Sequence, residues 1–97
     1  MQVSAWTNGN GTFGVRIGAA NREKFFSPHW KEIHVEIEGE THAIPICGGF
    51  WRHCPEVRSP AIRAWLKQHH TLRWAKGDPP RAELIPVGEA RFRLASR

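Results

Sequence analysis

The stretch Gly48-Gly49-Phe50-Trp51-Arg52-His53-Cys54-Pro55-Glu56-Val57-Arg58-Ser59 holds more chemically capable side chains than any other part of this chain. Two glycines loosen its start, Trp51, Arg52 and His53 stand at its crown, and Arg58 flanks its end. Arg52 can donate two parallel hydrogen bonds to a phosphate or to O6 and N7 of guanine, and His53 is a second candidate for a base edge. Trp51 either stacks at the rim of a contact surface or, beside Phe50, anchors the core. Such a loop suits contact with a polyanion better than it suits bond-breaking.

Other chemistries are poorly served. Cys47, His53, Cys54 and His42 are of the types that bind zinc, but there is no Cys-x-x-Cys pair, and adjacent ligands at 53 and 54 would strain a tetrahedron. No metal or other cofactor is expected. Asp78 is the one aspartate and sits in turn chemistry, the glutamates fall mostly on a strand face, and no phosphate loop or nucleophile–base pair is set by spacing. The expectation is therefore a protein that is not an enzyme.

Charge supports a polyanionic ligand. The net charge is +5, but residues 1–48 set Arg16, Arg22, Lys24 and Lys31 against Glu23, Glu32, Glu36, Glu38 and Glu40, a balance of −1 that leaves +6 for residues 49–97. Ten of the fourteen cations are arginine, the residue suited to bidentate contacts. A basic half-domain attracts polyanions. With 97 residues, 40% apolar and 24% charged, the chain reads as one globular domain spanning 1–97. It has no apolar run of membrane-spanning length, and Met1–Trp6 lacks the pattern of a signal peptide, so no membrane partner and a cytoplasmic location are expected.

The elements that would carry these residues alternate with period two. Residues 3–6 form a short opening strand, Thr7–Thr12 with its Asn-Gly repeats makes a tight hairpin tip, and Phe13, Val15 and Ile17 line one face of the return strand with Arg16 behind. Gly18 to Ser27 reads as a short helix stopped by Pro28. Ile33, Val35 and Ile37 mark the next strand, Gly39-Glu40 a turn and His42–Ile46 its partner, with Pro45 placing that partner at a sheet edge. The acidic outer face of this hairpin should point away from the ligand. Ser59-Pro60 starts a second helix, in which Ile62, Trp65, Leu66 and His69 form a buried stripe and Arg63 and Lys67 face out. Leu72–Trp74 is predicted as a short strand, Ala75–Asp78 as a turn, and Arg81–Val87 and Ala90–Leu94 as a last hairpin turning at Gly88-Glu89. Six to seven short strands in so small a domain predict a mainly β, nearly closed barrel with two short helices.

Val15-Arg16-Ile17-Gly18 followed by Asn21-Arg22-Glu23-Lys24-Phe25-Phe26 resembles the B3 DNA-binding domains of plant transcription factors, where a strand leads into a short helix ending in aromatics. Phe50-Trp51, the helix with Trp65-Leu66, and Leu72 to Gly77-Asp78 before two closing strands fall in the same order, so the resemblance spans roughly residues 5–95. The DNA-recognition and effector domains of some bacterial restriction endonucleases are similar too. The resemblance implies a pseudobarrel that holds double-stranded DNA with two loop arms in the major groove, here Asn8 to Arg16 and Trp51 to Arg58. The Gly-Gly and Cys-Pro context of the second arm departs from the plant pattern, so no target sequence carries over.

Within that frame Arg52 and His53 are the base-reading candidates, Trp51 is an edge stacker or a core anchor, and Asn8, Asn10 and Thr12 reach bases or phosphates from the hairpin tip. Arg16, Arg58, Arg73 and Lys76 fit phosphate contacts, which position the protein without reading sequence. A monomer is favoured over a dimer, and a separate nuclease or regulatory protein is the expected protein partner in restriction–modification or transcription regulation. Two other readings stay open. One is a protein-interaction or antitoxin-like module whose basic face meets an acidic protein; the other is a single-stranded nucleic acid or RNA binder stacking bases on Trp6, Trp51 or Trp74.

Overall fold

The computed structural model describes residues 1–97 as β1 (Gln2–Thr7), β2 (Phe13–Arg16), α1 (Ala19–Phe25), β3 (Glu32–Ile37), β4 (Glu40–Pro45), β5 (Glu56–Arg58), α2 (Pro60–His69), β6 (Arg81–Gly88) and β7 (Arg91–Ser96). The seven strands form one sheet in the order β4-β3-β7-β6-β1-β2-β5. All neighbours are antiparallel except β3 and β7. Its two edge strands, β4 and β5, come back against each other, so the sheet curls into a nearly closed barrel and leaves little open edge.

Alternation builds the interior. Val3 and Ala5, Phe13 and Val15, Ile33, Val35 and Ile37, Ile44, Val57, Ala82 and Leu84, and Phe92 and Leu94 all turn inward and are buried. Helix α2 lies on β2 and β3 and sends Ile62, Trp65 and Leu66 into that core. Its start follows the expected chemistry: Pro60 opens the helix, and Ser59 Oγ accepts a hydrogen bond from the Ala61 amide at 3.1 Å. Helix α1 buries none of its own residues, but Phe26 just beyond it stacks on Phe92 at 5.0 Å between ring centroids.

Several local expectations are corrected. Leu72–Trp74 is not a strand. The Thr71 hydroxyl both donates to the Arg73 carbonyl (2.9 Å) and accepts from the Arg73 amide (3.0 Å), which turns the backbone locally, and Trp74 packs edge-on to Phe13. The seventh strand is instead β5, antiparallel to β2. The β3–β4 turn is Glu38-Gly39, both at positive φ, with Glu40 already in β4. The last hairpin turns at Glu89-Ala90. His69 is exposed rather than buried, because the helix ends there and its Nε2 meets Glu38 Oε1 at 3.0 Å on the surface. Pro45 closes β4 at the sheet edge as its missing N–H requires. No helix is long and apolar enough to cross a membrane.

Candidate nucleic-acid interface

The first arm is a hairpin tip held by its own side chains. Thr7 Oγ1 donates to the Thr12 carbonyl at 2.8 Å and accepts from the Gly9 amide at 3.1 Å. Asn8 Oδ1 accepts from the Asn10 amide at 2.8 Å and the Thr12 amide at 3.2 Å. Gly9 and Gly11 adopt φ of 84° and 92°, which a β-carbon would oppose. The oxygen of Asn8 is thus committed to the turn, leaving its amide NH2 as the available donor, whereas the Asn10 side chain is exposed and forms no bond within the protein.

The second arm is a compact knuckle. The Gly49 carbonyl accepts from the amides of Arg52, His53 and Cys54 at 3.0, 3.0 and 2.9 Å. Phe50 is wholly buried and anchors it. Arg22 Nη1 donates to the Phe50 carbonyl at 2.8 Å, and its guanidinium lies 5.1 Å from the centre of the Trp51 ring. Trp51 is half-buried and edge-on to Phe50, so it serves as an anchor on one side, while Arg52 and His53 stand exposed at the crown. Arg22 Nε and Trp51 Nε1 are buried without partners. Cys47 and Cys54 are free thiols, and no three His, Cys, Asp or Glu side chains gather as a metal site.

The β2–β5 ladder relates the two arms. Gly14 pairs with Arg58 and Arg16 with Glu56, and beyond them the Ile17 amide bonds the Pro55 carbonyl at 2.7 Å. The hairpin tip therefore leaves one end of this ladder and the knuckle the other. From Phe13 to Ile17 is four steps, about 13 Å at ~3.3 Å per residue.

The outer wall between the arms is basic. One row of cross-strand neighbours runs Arg81, Ser4, Arg16, Glu56, and the next runs Trp6, Gly14, Arg58; such partners share a face. Arg58 Nη2 donates to Glu56 Oε1 at 3.0 Å, and its guanidinium lies 4.8 Å from the centre of the Trp6 ring. The hydrogen bond to Glu56 is the main cause raising the Arg58 pKa, and burial acts against it. Glu56 itself is 4% exposed.

Clefts adjoin this wall. One of about 340 Å³ lies between Gly11 and Thr12 of the hairpin tip, Ser59 and Pro60 at the start of α2, and the side chains of Arg58 and Arg63. Arg63 lies 5.6 Å over the Phe13 ring and joins the site from a helix face that periodicity marks only as solvent-facing. Its signal, a cation one turn beyond the Ser-Pro cap, is common to many helices. Arg16 borders two further clefts of about 500 and 350 Å³, both walled by Gly77 and Pro79. Exposed Lys76 precedes Gly77 on their rim, and exposed Arg73 stands next to Trp74.

The remaining charge lies elsewhere. β3 is three strands from β2 through β5 and β4, and four through the other side, so its outward residues Glu32, His34 and Glu36 occupy the opposite wall. Arg91 and Arg93 of β7 register with His34 and Glu36 there. The structure thus gathers Arg16, Arg58, Arg63 and the hairpin tip on one wall and sets Arg52 and His53 at its far end. No family model matches this chain, and neither a curated protein nor a solved structure matches it.

Proposed function

We propose that this chain binds double-stranded DNA as a B3-like domain, with the arms Asn8 to Arg16 and Trp51 to Arg58 entering the major groove. The observation that carries this reading is the placement of two loops at opposite ends of the β2–β5 ladder, about 13 Å apart at ~3.3 Å per residue. That span is close to the roughly 12 Å width of the major groove. The element order, with α1 after β2 and α2 after β5, supports the same reading because the B3 resemblance has strand, short helix, second helix and closing strands in that sequence.

The roles divide by geometry. Arg52 and His53 at the knuckle, and Asn10 and Thr12 at the hairpin tip, are the exposed groups that reach base edges. Arg16, Arg58, Arg63, Arg73 and Lys76 supply positive charge for phosphates. Single-strand stacking is the weaker reading, since Arg58 covers a face of Trp6, Arg22 covers Trp51, and Trp74 is engaged with Phe13. In the cell the domain would serve as a recognition unit in restriction–modification or transcription regulation, beside a separate nuclease or regulatory protein.

Selection of bound duplexes from a randomised pool at about 150 mM salt, where nonspecific attraction is weakened, tests the proposal. A short enriched motif is expected. Weak, salt-sensitive binding to every duplex without enrichment would overturn it and favour an acidic protein partner for the basic wall.

A further inference from the structure

Resting on the duplex-DNA reading, we infer that Arg58 is a guanine-reading side chain held in position by Glu56 and Trp6, rather than only a phosphate contact. Arg52 and Arg58 flank the same loop but differ in restraint. Arg52 is exposed and its side chain forms no bond within the protein, so binding through it must immobilise a long, freely rotating chain. Arg58 is already immobilised. Its Nη2 donates to Glu56 Oε1 at 3.0 Å, its guanidinium carbon lies 4.8 Å from the centre of the Trp6 ring, and Gly14 is the residue between Arg58 and Trp6 in the cross-strand row. The Arg58 side chain nevertheless keeps 42% of its surface open.

A guanidinium carries five N–H donors in one plane. With one committed to Glu56, others remain on the exposed edge, and guanine presents O6 and N7 side by side in the major groove. The Trp6 ring and the buried Glu56 carboxylate restrain the guanidinium before DNA arrives, which is the condition under which a bidentate contact costs least ordering.

Glu56 is the second observation. A carboxylate that is 4% exposed on a basic wall repels the very polyanion the wall attracts, and it meets no cation within ion-pair distance except Arg58. Steadying β5 would not require an acid there, whereas aiming Arg58 does. Arg58 also borders the cleft with Gly11 and Thr12, so the base it reads lies beneath the first arm.

The test is competition binding with the duplex that the wild-type protein selects, each base pair being replaced in turn. Arg58→Lys keeps the charge but loses the planar fork, and the side chain is exposed enough for folding to survive. Its preference for one G·C pair is expected to fall tenfold or more, with a smaller loss on random duplex. Glu56→Gln should weaken preference at the same pair. If Arg58→Lys keeps every preference, or lowers binding to motif and random duplex alike, Arg58 is not a reader although the DNA reading stands. If Glu56→Gln folds, as thermal unfolding would report, and leaves that preference intact, the positioning role is wrong. Should Glu56→Gln fail to fold, Arg58→Lys alone decides whether Arg58 reads guanine. If the wild-type protein selects no motif, the DNA reading itself fails and this inference with it.

Discussion

Gly14 and Val57 approach so closely across the β2–β5 ladder that a β-carbon on Gly14 would overlap the Val57 carbonyl oxygen. Backbone cannot rotate away as a side-chain tip can, so Gly14→Ala must push β5 off β2. A cost of about 1–3 kcal/mol is expected, seen as a melting temperature lower by roughly 4–8 °C per kcal/mol for a domain of this size. An unchanged melting temperature would mean that the ladder is looser than this contact implies.

Ser59→Ala removes the one side-chain cap of α2. The expected loss is about 1 kcal/mol, read from urea unfolding as a lower midpoint with the same slope. Because Ser59 also borders the cleft beside Arg58 and Arg63, DNA affinity measured below the unfolding transition shows whether the hydroxyl has a second role.

The knuckle separates stability from binding within four residues. Phe50 is fully buried, so Phe50→Ala should cost about 3–5 kcal/mol and threaten the fold. Arg52→Ala and His53→Ala, on exposed positions, should change stability by no more than about 0.5 kcal/mol while weakening motif binding. Equal unfolding midpoints for all three variants would contradict the anchoring role of Phe50.

Arg22 ties α1 to the knuckle through the Phe50 carbonyl. Arg22→Ala leaves that carbonyl without its donor, at a cost of about 1–3 kcal/mol. It also uncovers the face of Trp51, so a red shift in tryptophan emission should accompany the loss. Stability loss with an unshifted spectrum would place the effect elsewhere than at Trp51.

Salt dependence distinguishes the two walls. Four to six phosphate contacts predict a log–log slope of roughly −4 to −5, from about −0.9 per phosphate. Arg16→Ala should reduce its magnitude by about 0.9, whereas Arg93→Ala, on the opposite wall beside Glu36, should leave it unchanged. Similar effects from both variants would show that charge acts through the whole molecule and not through one face.

The sequence alone determined what depends on neighbours along the chain. The alternation of Phe13, Val15 and Ile17 and of Ile33, Val35 and Ile37 marks half-buried strands, the Asn-Gly tip requires a tight hairpin, and Ser59-Pro60 starts α2. Together they specify a small, mainly β barrel with two helices. What joins distant segments was legible only in the tertiary structure. Glu56–Arg58 is too short to carry a period and becomes a strand because β2 offers it a partner. Leu72–Trp74 has strand-like residues, but Thr71 turns its backbone and it pairs with no strand. The contact of Arg58 with Trp6 across Gly14, and of Arg63 with Phe13, arises from register across three strands and from the docking of α2. Local pattern sets which face each residue shows, whereas register and docking decide which faces meet, and those depend on the energy of the whole packed core.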